Sequence, residues 1–147
     1  MKTKTCTLIA ILALASTPAL AREDHVKVAI QQALAKGQSY KTTVDPDIKL
    51  YWGSQKTPAV AKRIGEWTAN RKTNAANKSD EEACTIAFVS AIAALQERAR
   101  KEGGNAVINI KSFYKNENSE SPTEYVCGAG KIMAGVSLKG TVVTIKK

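Results

Sequence analysis

One histidine, His25, is all the imidazole in a chain of 147 residues. Nucleophilic catalysis needs a base beside the nucleophile, and no serine here stands in a Gly-x-Ser-x-Gly elbow. A metal site needs clustered His, Cys, Asp or Glu. The nearest approach is Arg22-Glu23-Asp24-His25, which reads as a polar terminus. No Gly-x-x-x-x-Gly-Lys-Ser/Thr run is present, and Gly128-Ala129-Gly130-Lys131 is too short to cradle a phosphate. The carboxylate pairs have local uses: Asp45 and Asp47 bracket Pro46 in a turn, and Asp80-Glu81-Glu82 stands at a helix start. No catalytic residue, metal ligand or cofactor is expected from these patterns. A hydrolase would need a site of unrecognised type.

Long apolar runs are also missing. The longest, Cys6 to Ser16, is too short to span a bilayer comfortably and follows Lys2 and Lys4. With Thr17-Pro18-Ala19-Leu20-Ala21 behind it, the pattern is that of a signal peptide, residues 1–21, cleaved after Ala21. No cysteine ends the apolar run, so no lipoprotein box is read, and no transmembrane segment is expected after cleavage. Removing 21 of 147 residues leaves a 126-residue chain, 22–147, which is one domain's worth. Taking Lys2 and Lys4 from 22 basic residues leaves 20 against 13 acidic ones, a net +7. Such a chain is drawn to anionic surfaces, or is simply kept soluble by scattered lysines.

Three cysteines are present, and Cys6 should leave with the signal. Cys84 and Cys127 remain. In an exported protein an even count implies a disulfide, the alternative being two buried thiols. No Cys-x-x-Cys pair is present, so the bond would be structural rather than redox-active.

The richest stretch runs from Ser79 to Ser112. Ser79 and Glu82 have capping-box spacing. Cys84, Phe88, Ala91, Ile92, Leu95 and Ala99 form one apolar stripe at helical period, and Arg98, Arg100 and Lys101 suit the end of the dipole. Gly103-Gly104 stops this helix of about 79–102. Ala106 to Ile110 then reads as a strand, with Ala106, Ile108 and Ile110 facing the helix. The Cys127 strand is expected to pair beside it, which would bring Cys127 under the stripe that carries Cys84.

Elsewhere, Val26, Ile30 and Leu34 predict a short helix ending near Lys36-Gly37. Ile48 to Trp52 alternates as a strand. Ala59 to Thr73 fits helix and strand equally. Phe113 and Tyr114 prolong the central strand, Lys115 to Pro122 is a hairpin loop, and Thr123 to Cys127 returns. Gly128-Ala129-Gly130 should bend the chain, and Ile132 to Ile145 is strongly β-forming. Gly135 and Gly140 mark places where something approaches closely. Trp67 with Asn70, Arg71, Lys72 and Asn74 gives a basic, amide-rich loop beside an aromatic, a candidate interaction surface for phosphates or single strands, or else a solvated loop.

Gly103-Gly104-Asn105-Ala106-Val107, at the end of an alanine-rich helix and before a strand, resembles the turn of YbjQ-like and RcsF-like domains. The resemblance covers roughly Trp67 to Val143, within a core of about 60–145. Leu50-Tyr51-Trp52-Gly53, Lys72-Thr73-Asn74-Ala75, Asn77-Lys78-Ser79-Asp80, Leu95-Gln96-Glu97-Arg98-Ala99 and Glu124-Tyr125-Val126-Cys127 further resemble a family of small exported proteobacterial proteins of uncharacterised function. That family is often labelled excinuclease ATPase subunit. The nucleotide loops and zinc cysteines such an activity needs are absent from this chain. The YbjQ-like resemblance implies an extended Val60–Thr68, and the RcsF-like one a role in envelope contacts, although no lipoprotein box is read here and only two cysteines are expected in the mature chain.

The expected fold is therefore α+β: one long helix and a short N-terminal one on a mainly antiparallel sheet of four or five strands. The expected function is a non-enzymatic, periplasmic or secreted binding module meeting an envelope protein or anionic surface. The alternative is a basic module for nucleic acid or anionic lipid.

Overall fold

The computed structural model describes residues 23–146. The expected signal segment, its cleavage site and Cys6 lie outside them. The fold is α+β, and its centre is strand β6 (Met133–Ile145). Along one edge β6 pairs antiparallel with β3 (Val60–Asn74) over its whole length. Two strands share its other edge: β5 (Glu124–Gly130) through Gly128 and Ala129, and β4 (Ala106–Ser112) from Ala106↔Val143 to Ser112↔Leu138. Outside β5 lies β1 (Glu23–Ala29), antiparallel; outside β4 lies β2 (Lys49–Trp52), parallel. The sheet is thus mixed and six-stranded, one strand more than the upper expectation.

Where β5 and β4 part company along β6, one backbone bond and one side-chain bond close the gap. Phe113 N–H donates to Ser137 O at 2.8 Å, and Val126 N–H donates to the buried Ser112 Oγ at 2.8 Å. The strand carrying Cys127 accordingly pairs with β1 and β6, not with β4 as expected.

Both helices cover one face of this sheet. α2 (Asp80–Lys101) starts as its spacing predicts: Ser79 Oγ accepts from Glu82 N–H at 3.1 Å. Its whole expected stripe, Cys84 through Ala99, is buried. Phe88 is stacked between Trp52 and Tyr125, with ring centroids 5.5 and 3.9 Å apart. Beside it Cys84 and Cys127 are joined in a disulfide, with Cα atoms 5.8 Å apart and a sequence separation of 43. At α2's end Gly103 takes φ +77, which a side chain would oppose. A Cβ on Gly104 would meet Val142 Cγ1 at 2.5 Å, so the chain can turn this close to β6 only without one.

Two amides tie loops to this frame. Asn105 donates to Ile145 O (3.0 Å) and accepts from Ile145 N–H (2.8 Å), so its side chain acts as one more ladder rung at the end of β6. Gln96, buried on α2, accepts from Asp45 N–H and donates to Asp45 O and Ile48 O at 2.8–2.9 Å. These bonds hold the turn that delivers β2, a turn closed by Asp45 Oδ1 accepting from Asp47 N–H at 2.9 Å.

Four local expectations are corrected. Val26 to Ala29 is strand, not helix, and α1 is confined to Ile30–Gly37. Val26, Val28 and Ile30 fit a period of two as well as Val26, Ile30 and Leu34 fit a helix, and seven residues of pairing with β5 decide between them. In β4 the helix-facing residues are Val107 and Ile110, while Ala106 and Ile108 pack on the opposite face with Val143 and Ile145. Asn109, at φ +52, inserts an extra residue opposite β6 and resets the alternation. β4 ends at Ser112, and Tyr114–Asn116 forms a 3₁₀ turn instead of prolonging it. Finally, Asn70 to Asn74 is strand, not loop: the extended run from Val60 continues to Asn74.

Candidate functional site

The face of the sheet opposite the helices carries a smaller apolar cluster at one end, Ala106, Ile108, Val143 and Ile145 with Tyr51 and Val60. The rest of that face is polar. Alternation along β3 puts Glu66, Thr68, Asn70 and Lys72 there, beside Gly135, Ser137 and Lys139 of β6 and Gly128 of β5.

Tyr114 organises this region. Its 3₁₀ turn is tight, with Lys115 at φ +51 and Asn116 at φ +65, and it throws the ring back across the sheet. The ring rests where only glycine can lie beneath it: a Cβ on Gly128 would sit 1.9 Å from the phenol oxygen. The Tyr114 hydroxyl donates to Glu23 Oε1 at 2.7 Å, and Lys115 Nζ reaches Glu23 Oε2 at 2.9 Å. The His25 ring meets Tyr114 edge-on at 5.1 Å. Tyr114's hydrogen bond, then that of Lys115, holds the Glu23 carboxyl below its usual range. Burial, then the bond to Glu23, pushes the Tyr114 phenol up to about 12.

Two adjoining hollows flank the ring. The larger, about 470 Å³, has Gly128 and Gly135 in its lining, with Lys72, Lys131, Ile132 and Met133 also bordering it. The smaller, about 350 Å³, is lined by Thr68, Asn70, Lys72, Asn116 and Ser137 among others. Glu23, Lys72 and Tyr114 belong to both. Among the described residues, Lys115 is paired with Glu23 and Lys139 with Glu66 at 2.9 Å, whereas Lys72 and Lys131 have no carboxylate partner. The arrangement suits binding of a ligand that carries negative charge beside an apolar part. His25 forms no hydrogen bond to a serine, and no group of three or more His, Cys, Asp or Glu converges among the described residues.

Of the candidate interaction residues, Asn70 and Lys72 lie in this region. Asn74 follows them on β3, where its Oδ1 accepts from Ala76 N–H at 2.8 Å and caps the turn after the strand. Trp67 and Arg71 do not join them. They line a crevice against α2 with Ala94, Leu95 and Arg98, and the Arg98 guanidinium stands 5.8 Å from the Trp67 ring centre. Arg71 also turns one donor to its neighbour's carbonyl, Asn70 O, at 2.9 Å. One stretch of sequence therefore serves two surfaces, because consecutive strand residues point to opposite sides.

Sequence reasoning missed Glu23, Tyr114, Lys131 and Ser137. The available signal was the glycine pattern: Gly128 and Gly135 stand in strongly β-forming stretches, which implies a close approach from above. No protein-family model matches the chain, and no curated protein matches it.

Proposed function

We propose that this chain is an exported, non-enzymatic binding module that takes its ligand on the helix-free face of its sheet. The observation that carries this reading is the pair of hollows around Tyr114. The larger is floored by Gly128 and Gly135 and edged by Lys72 and Lys131, which have no carboxylate partner among the described residues, and the smaller shares Lys72 and Tyr114 with it. Such a concave site with a few convergent polar groups is the usual form of a recognition site. The Cys84–Cys127 bond supports a periplasmic or secreted setting, since disulfides persist in oxidising compartments. Cleavage after Ala21 and contact with an envelope component belong to the same reading, and the RcsF-like resemblance agrees with it.

Site-specific photocrosslinking in envelope extract tests it. A photoreactive residue in place of Asn70 is expected to give discrete adducts, and one in place of Glu97, on the exposed side of α2, is not. Equal labelling from both positions, or adducts from Glu97 alone, would overturn the reading.

A further inference from the structure

Ile132 and Met133 are the only large apolar side chains strongly exposed among the described residues, at 71% and 47%. They follow Lys131 at the turn between β5 and β6, where Gly130 and Met133 end the two strands. This turn is not loose. Ala75 N–H donates to Ile132 O at 2.7 Å, and Asn74 pairs with Met133, so the end of β3 clamps it. Two apolar side chains are thus held out in water by a rigid frame, at the rim of the larger hollow, with Lys72 and Lys131 beside them.

We propose that this turn seats the module on an anionic bilayer surface, Ile132 and Met133 entering the interface and Lys72 and Lys131 meeting lipid headgroups. The inference rests on the binding-face reading above and names its partner. A patch of two side chains is far smaller than the roughly 800 Å² per partner of a stable protein interface, yet it suits shallow insertion, where apolar contact and cationic attraction add. Charge points the same way. The one carboxylate lining the hollow, Glu23, is already engaged by Tyr114 and Lys115, so Lys72 and Lys131, which have no carboxylate partner among the described residues, set the local sign. The processed chain, with 20 basic and 13 acidic residues, carries a net +7.

Co-sedimentation of the processed, disulfide-bonded protein with vesicles tests the proposal. Binding is expected to vesicles of phosphatidylcholine with about one third phosphatidylglycerol, to be at least about tenfold weaker on phosphatidylcholine alone, and to fall as salt screens the headgroups. Ile132→Ser with Met133→Ser, and separately Lys72→Glu with Lys131→Glu, should each weaken binding at least about tenfold. Lys62→Glu with Arg63→Glu makes the same charge change at the far end of β3 and should weaken it much less. All substituted side chains are exposed or half-exposed, and circular dichroism checks the fold of each variant. Equal binding to neutral vesicles, indifference to the Ile132/Met133 change, or competition by inorganic phosphate at matched ionic strength would each overturn the proposal, the last by pointing to a free anion. If vesicle binding fails while the Asn70 crosslinks persist, only this inference falls; loss of those crosslinks removes the binding-face reading itself.

Discussion

The two faces of the sheet are built to different rules. The covered face is apolar, interlocked and stapled: Phe88 between two aromatic rings, a disulfide beside it, and Gln96 and Asn105 tying loops to its frame. Beyond its apolar end cluster, the helix-free face holds small residues and exposed polar ones around Tyr114, and its lysines are only partly balanced by carboxylates. The contrast separates what maintains the fold from what is available for contact. It implies that substitutions on the covered face change stability, and that substitutions around Tyr114 change binding with little effect on stability.

The largest expected effect comes from the staple. Cys84→Ala with Cys127→Ala releases a 43-residue separation, and chain-entropy reasoning puts the loss at about 4 kcal/mol. Denaturant titration of the double variant measures it. A loss below about 1 kcal/mol would mean that the covered face holds without its staple. Gln96→Ala comes next. It removes three hydrogen bonds and leaves part-buried backbone groups of Asp45 and the buried carbonyl of Ile48 without partners, for about 2–3 kcal/mol. The same titration should show that loss, with hydrogen exchange quickening first at Asp45 to Trp52. Ser79→Ala should cost about 1 kcal/mol by removing the acceptor for Glu82 N–H, read as a lowered melting temperature.

The smallest effect compares the faces through pH. Glu23, on the helix-free side, is held below the usual carboxylate range by Tyr114 and Lys115; Asp45, on the loop that Gln96 ties down, by Arg100 and then Asp47 N–H. A depressed folded-state pKa stabilises the fold above the unfolded value, and that contribution fades as pH falls through the folded one. Stability should therefore decline below the ordinary carboxylate values of 4.5 and 3.8. Glu23→Gln and Asp45→Asn should each flatten the acid limb of melting temperature against pH. An unchanged limb in both would remove these pairs from the account.

Much of the covered face was legible in the sequence. Helical period, capping spacing and cation placement located α2, and the even count of cysteines expected in the mature chain anticipated the disulfide. The helix-free face was not legible, for physical reasons. A strand of 15 residues sends Trp67 and Lys72 to opposite sides, so neighbours in sequence are not neighbours on a surface. Asn109 adds one residue to β4 and inverts the faces before it, and nothing in a single asparagine announces a positive φ. Tyr114 reaches Gly128 and Glu23 only through long-range pairing of β5 with β1 and β6, which no local pattern encodes. The glycines showed that something approaches without identifying it.

The central claim is that recognition belongs to the Tyr114 face and its Lys131–Met133 rim. Amide chemical-shift mapping of the processed, disulfide-bonded protein on titration with anionic nanodiscs tests it most directly. The account predicts perturbations clustered at Lys72, Tyr114, Gly128 and Lys131 to Gly135, with α2 and the Trp67–Arg98 crevice quiet. Perturbations centred on α2, or spread evenly over all lysine-bearing surfaces, would contradict it.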